Sequence, residues 1–206
     1  MFSGCTLLAT APELPAESLA SHCYEYMFNN CHALTKAPAL PAKTLASSCY
    51  SGMFSDCKAL ATAPKLPAET LAEHCYDGMF SYCTALTTAP ELPAQSLASS
   101  CYQNMFYGCT SLTTAPELFV SELVNYCYAG MFYGCSQLSS VTMGAFDVRA
   151  YMCLENWLDE AGTKVHEPHK PTLHLHPMVY EYEYKNSPEV CYENYHIPEY
   201  WDVQPL

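Results

Sequence analysis

The chain has 206 residues, of which 50% are hydrophobic and 14% charged, so it can bury a core and intrinsic disorder is excluded for most of its length. A net charge of −13 argues against nucleic acids or anionic membranes as partners, because both require a basic surface. No stretch reaches the roughly 18 uncharged apolar residues of a membrane span, so we expect no membrane insertion.

A 26-residue period runs through the first three quarters of the chain. The pair Met-Phe recurs every 26 residues from Met1-Phe2 to Met131-Phe132 without insertion or deletion. Two series of six cysteines, which begin at Cys5 and Cys23, have the same spacing and include 12 of the 13 cysteines. Such a period is typical of solenoids, in which successive repeats stack on one another. We therefore divide the chain into six repeats, residues 1–156, and a C-terminal capping segment, residues 157–206.

Each repeat has two halves with different patterns. In the fourth repeat the apolar positions 97, 98, 101, 102, 105 and 106 recur at i and i+4, which predicts a short helix. The residue two positions after each Phe is expected to take the left-handed conformation that ends a helix. These six residues are Gly4, Asn30, Asp56, Tyr82, Gly108 and Gly134. Residues 86–92 contain Pro90, which cannot donate to a ladder, so we expect a narrow parallel sheet.

The repeat unit carries a Phe, a small residue and then Cys-x-x-Leu leading into a short strand, and so resembles the BspA-like leucine-rich repeat family. The resemblance covers residues 1–156, and Trp157-Leu158 and residues 197–203 look like the end segment of such proteins. It implies an α/β solenoid of leucine-rich repeats with a narrow parallel sheet on one side and short helices on the other. It also implies a binding or adhesion role at a bacterial cell surface, outside the cell, or on the virion of a phage of such bacteria.

The cysteines have three possible roles. Stacked strands lie about 4.8 Å apart, which lies within the range that disulfide geometry permits. One Cys per repeat in identical register instead favours stacks of buried free thiols, and this is the interpretation we prefer. Zinc binding is disfavoured because the sequence has no Cys-x-x-Cys pair.

No motif for catalysis or for a cofactor is present. Nucleophile elbows, phosphate loops and dinucleotide fingerprints are absent, which predicts a protein that is not an enzyme and has no cofactor. In the C-terminal segment, alternation places His174 and His176 on one strand face, where they could chelate a transition metal. A solvated strand face is the alternative that we favour.

The C-terminal segment contains three candidate strands, at residues 172–176, 180–185 and 190–192. The simplest arrangement is a small antiparallel sheet that closes the solenoid. In the second strand we expect the tyrosines to pack on the last repeat and Glu181 and Glu183 to face water. The tyrosines are Tyr180, Tyr182 and Tyr184.

The first repeat begins directly with core positions. We expect an upstream segment, a partner or a second copy to cover Phe2 and Leu8, because every repeat of a solenoid buries its faces on neighbours. This expectation gives an alternative function, a structural spacer or assembly component that docks through its N-terminal end.

Partner specificity should lie in the exposed positions that vary between repeats. On the strand side these positions flank the Ala-Pro pairs and form a face of threonine, proline and mixed charge, which we call the strand-side ribbon. We expect it to bind a protein edge or a glycan, with a solvated face that has no partner as the alternative. Its predicted binding residues are Thr10, Glu13, Lys36, Thr62, Lys65, Thr88, Glu91, Thr114 and Glu117.

Overall fold

The fold is a stack of 26-residue repeats followed by a short C-terminal region. The structure, a computed structural model, describes residues 1–165, 168–186 and 195–206. Its regular elements all lie in the second half of the chain. They are β1 (Thr114–Leu118), β2 (Ser140–Met143), β3 (Thr172–Leu175), α1 (Pro177–Val179), a π-helix (Tyr180–Tyr184) and β4 (Asp202–Pro205).

The strands form one parallel sheet in the order β1-β2-β3-β4. In the earlier repeats the ladder is reduced to isolated parallel bridges, three of which join residues 26 positions apart. A Pro near each bridge removes the N–H that would extend the ladder. The prediction of a parallel sheet of very short strands is confirmed. The three bridges are Thr10 with Lys36, Thr44 with Thr70, and Thr88 with Thr114.

The prediction of a helix in each repeat is wrong. The part of each repeat that was predicted to be helical is a continuous series of turns. In it, every second N–H donates to the carbonyl three residues earlier, as Met105 does to Tyr102 at 3.2 Å. The intervening N–H groups donate to the next repeat, as Phe106 does to Met131 at 3.0 Å. A helix would direct these donors to its own carbonyls. The apolar period of 4.0 rather than 3.6 residues matches this geometry, because a positive φ recurs every fourth residue, at Ser100, Asn104 and Gly108.

The left-handed positions themselves are confirmed. All six residues that follow Phe by two positions have a positive φ, between 58° at Tyr82 and 75° at Gly4. They lie within the series of turns instead of at helix ends. The third residue of a type II turn requires this conformation, which explains why Gly, Asn and Asp fill five of the six positions.

Aromatic rings form two continuous stacks through the core. The six phenylalanines from Phe2 to Phe132 lie 5.6 to 5.8 Å apart, centroid to centroid, with nearly parallel planes. The tyrosines from Tyr24 to Tyr128 form the second stack at 5.8 to 6.0 Å. Each ring therefore packs on its counterparts in the two adjacent repeats, which fixes the 26-residue register.

The cysteines lie in register beside these rings, and the twelve described ones carry free thiols. From Cys31 onward, each thiol of the first series donates to the carbonyl of the Phe 29 residues earlier, at 3.0 to 3.2 Å. Burial raises the pKa of Cys57 and of Cys75 to about 12. The buried thiols therefore stay protonated at neutral pH, where they act as small apolar groups, and those of the first series also satisfy a backbone acceptor.

The C-terminal region differs from the prediction. The first candidate strand is confirmed as β3, but it pairs in parallel with β2 and β4 and extends the sheet of the repeats. The second is helical because Pro177 suits a first helical turn and His176 Nδ1 accepts the N–H of Met178 at 3.2 Å. Tyr180 and Tyr184 pack against the core as predicted, whereas Tyr182 is 73% exposed; Glu181 is exposed and Glu183 is half-buried. The third, residues 190–192, lies outside the described residues.

The repeat hydrogen bonding continues past the predicted boundary at residue 156. Phe132 donates to the carbonyl of Trp157 at 2.9 Å, and Gly134 donates to Asp159 at 2.8 Å. Trp157 is fully buried where a seventh Met would stand, and its Nε1 donates to the carbonyl of Tyr195 at 2.9 Å. The large indole thus joins the last repeat to the C-terminal region.

Candidate functional site

The strand-side ribbon lies on the outside of the stack. All nine of its predicted binding residues are exposed, and they recur at equivalent positions of successive repeats. Bridges join Thr10 to Lys36 and Thr88 to Thr114, so the ribbon residues of adjacent repeats are direct neighbours. The buried side chains of Leu14, Leu40 and Leu66 lie beneath it. A rigid core therefore holds this variable face in place.

Shallow proline-lined grooves run along the ribbon. One, with a volume of about 410 Å³, is lined by Thr10, Glu13, Lys36 and the prolines beside them. A second, of about 520 Å³, lies between Lys65 and Glu91. A third, of about 510 Å³, extends from Glu91 through Glu117 to the half-exposed Phe119, which is missing from our sequence-based set of ribbon residues. Within the described chain, the Lys and Glu residues of the ribbon form no ion pairs, so their charges face solvent.

The two C-terminal histidines are half-buried and lie in or just after β3. His174 lies on β3, whereas the Nδ1 of His176 accepts the N–H of Met178. Across residues 1–165, 168–186 and 195–206, no group of three or more His, Cys, Asp or Glu side chains could hold a metal ion.

The first repeat exposes apolar surface, as the sequence predicts. Phe2 and Leu8 are half-buried, whereas their counterparts Phe28 and Leu34 in the second repeat are fully buried. Leu7 is 91% exposed.

A second concave surface lies on the opposite side, on the series of turns, and sequence analysis missed it. It has a volume of about 410 Å³, and we call it the turn-side groove. The prediction of a helix in each repeat excluded this groove, because the residues that line it would not lie together on helices. The available signal was the pair of successive glycines at equivalent positions 52 and 78, between Tyr26 and Asn104 in the adjacent repeats. The groove is lined by Tyr26, Gly52, Ser55, Asp77, Gly78, Ser81, Tyr82, Asn104 and Tyr107.

The stacked repeats and parallel sheet define a solenoid-like repeat protein. A family profile described as a BspA type leucine rich repeat region matches the chain in six copies, over residues 1–89 and 24–151. The chain therefore belongs to the BspA type leucine-rich repeat family, as predicted. Members are typically surface-associated or adhesion repeat modules, and the family is generally non-enzymatic.

No curated protein and no solved structure matches the chain. Among the described residues, no helix has the length and apolar character needed to cross a membrane.

Proposed function

We propose that the protein is a non-enzymatic binding module that holds an extended protein segment along the strand-side ribbon. The observation that carries this proposal is the recurrence of nine exposed, variable residues on one face of an otherwise regular stack. Repeat proteins commonly use such extended faces for binding.

The chemistry of the ribbon favours a protein over a glycan. Prolines and alanines line its grooves, so it offers apolar contact to a polypeptide, and lysines and glutamates of both signs can pair with charged side chains. Phe119 is the single aromatic side chain among the residues lining the three grooves, and it stands at one end. A glycan site would instead present aromatic rings for stacking along its length.

Membership of the family supports a location on a bacterial cell surface or a phage particle. There the module would attach the cell or particle that bears it to a protein on another surface. Adhesion of this kind needs no chemistry beyond recognition, in agreement with a site built from threonine, proline and scattered charges.

The test is an array of purified surface proteins and glycans probed with the purified chain and with two charge-reversal variants. Lys65→Glu changes the ribbon, and Lys164→Glu makes the same change of charge at an exposed position outside it. We expect binding to at least one protein, weakened about tenfold or more by Lys65→Glu and unchanged by Lys164→Glu. Equal effects of the two variants would refute the assignment of the ribbon.

The exposed surface of the first repeat supports a second candidate, a spacer or assembly component that docks through this end. The carbonyls of Ser47, Cys49 and Ser51 each accept an N–H from the preceding repeat. Their counterparts in the first repeat, Ser21, Cys23 and Glu25, accept none from the described residues. Light scattering after size exclusion tests this candidate: a Leu7→Asp variant should lose an association that the parent chain shows, and a strictly monomeric parent chain argues against it.

A further inference from the structure

The turn-side groove has a floor of glycine and walls of tyrosine. Positions 52 and 78 carry glycine in two successive repeats, and both have a positive φ, of 57° and 59°. In the next repeat the equivalent residue is Asn104, and in the preceding one it is Tyr26. Glycine returns at this position as Gly130, but two successive glycines occur only at positions 52 and 78, and the residues that line the groove belong to the first five repeats.

The tyrosine rings at the groove are held by packing on glycines of the next repeat. A Cβ placed on Gly52 would lie 2.2 Å from Cε1 of Tyr26, and one placed on Gly108 would lie 2.7 Å from Cδ1 of Tyr82. The rings nevertheless remain 52% and 49% exposed. Two aromatic side chains are thus fixed beside an open groove before any ligand arrives, which lowers the entropic cost of binding.

Fixed hydrogen-bonding groups converge between these rings. The Asp77 carboxylate accepts from Nδ1 of His74 at 3.2 Å and is also hydrogen-bonded to the Asn104 side chain. Ser81 donates to the carbonyl of Asn104 at 2.8 Å. The carboxylate and the amide have further hydrogen-bonding capacity after these contacts are made. The groove can therefore offer both acceptors and donors in defined positions.

We propose that the turn-side groove is a binding site for a neutral saccharide. Saccharides combine C–H faces that stack on aromatic rings with hydroxyl groups that pair with carboxylates and amides, and the groove supplies both kinds of partner. No Lys or Arg lines it, and Asp77 would repel anionic ligands. It also contains no aliphatic side chain to receive the apolar residues of a peptide. The site is separate from the strand-side ribbon and does not depend on the function proposed for it.

The experiment is calorimetric titration of the full chain with four neutral hexasaccharides, built from glucose, mannose, galactose or N-acetylglucosamine. We expect at least one to bind with a dissociation constant below about 1 mM. Tyr82→Ala, which removes a wall, and Gly78→Asn, which fills the floor, should each weaken binding about tenfold or more. Asn suits the positive φ at position 78, as Asn104 shows in the next repeat, so Gly78→Asn should fold even if Tyr82→Ala does not.

Two matched controls locate the effect. Tyr151→Ala removes an exposed tyrosine that does not line the groove, and Lys65→Glu changes the ribbon; both should bind the saccharide as the parent chain does. The proposal is overturned when none of the four hexasaccharides binds at about 10 mM, or when folded Gly78→Asn binds as tightly as the parent chain. Loss of protein binding in Lys65→Glu with intact saccharide binding separates the two functions.

Discussion

The backbone hydrogen-bonding groups find their partners in different ways on the two sides of the stack. On the turn side, every second N–H crosses to the next repeat, and two aromatic stacks and the buried thiols lie directly beneath. On the strand side, isolated bridges join the first repeat to the second, the second to the third and the fourth to the fifth, and prolines remove further donors. Cohesion between repeats therefore comes mainly from the turn side, while the strand side is free to vary in sequence. Variants that perturb one side at a time test whether the turn side holds the repeats together.

The largest expected effect is loss of the fold at high pH. The ordinary thiol pKa of 9.0 is raised by burial to about 12 at Cys57, Cys75 and Cys127. The unfolded chain therefore loses these protons first, so their stabilisation is fully present below about pH 9 and is lost as the pH rises toward 12. Each such thiol lowers the free energy of unfolding by about 1.4 kcal/mol per pH unit across that window.

Circular dichroism against pH, in a reducing buffer, measures this loss. The transition should be steep between pH 9 and 12, because several thiols and buried tyrosines titrate in the same direction. Cys75→Ala should make the pH dependence shallower by about one proton. Stability that stays constant up to pH 11 would contradict the burial of the thiols.

The next largest effect is expected from a cavity in the phenylalanine stack. Phe80 is fully buried, and its ring lies 5.7 Å from that of Phe54 and 5.8 Å from that of Phe106. Phe80→Ala should lower the free energy of unfolding by about 3–5 kcal/mol in urea denaturation. Phe119→Ala is the matched control at a half-exposed strand-side position, where the loss should stay below about 1 kcal/mol. Similar losses would show that the two sides contribute equally.

The difference between the two sides also explains what could be predicted from the sequence. Repeat length, core positions and left-handed residues follow from local chemistry: Phe, Leu and Cys recur for burial, and Gly134 or Asn30 for a positive φ. The acceptor of each backbone N–H does not follow from local chemistry. Apolar pairs such as 101–102 and 105–106 face the core both in a helix and in a series of turns, so they do not distinguish the two. The period of 4.0 residues was the signal that separates the two, and the glycines at positions 52 and 78 agree with it.

In the C-terminal region, too, the residue pattern alone does not predict the structure. Residues 180–185 do alternate between Tyr and charged residues, as a strand would. Pro177 and the His176 cap nevertheless start a helix just before them, and this capping determines their helical conformation. Parallel pairing of β3 and β4 depends on the repeats that precede them, which no local pattern encodes.

A smaller effect, of opposite sign, is expected at Tyr50. Its hydroxyl is buried and, among the described residues, has no hydrogen-bond partner. Tyr50→Phe removes this unsatisfied group and keeps the ring in its stack, so we expect the free energy of unfolding to rise by about 1 kcal/mol. Tyr24→Phe, at the half-buried start of the same stack, is the control and should change it little. Destabilisation by Tyr50→Phe would mean that its hydroxyl has a partner in solution.

The smallest effect is expected on the strand side itself. Glu91 is exposed between two grooves and forms no ion pair with the described residues, so Glu91→Gln should change the free energy of unfolding by less than about 0.5 kcal/mol. Urea denaturation and binding are to be measured on the same sample, with Glu199→Gln as a matched control at an exposed position outside the ribbon. If the ribbon is the binding surface, Glu91→Gln alters affinity and leaves stability unchanged. A loss of stability comparable to that of Phe80→Ala would instead make the ribbon part of the structural framework.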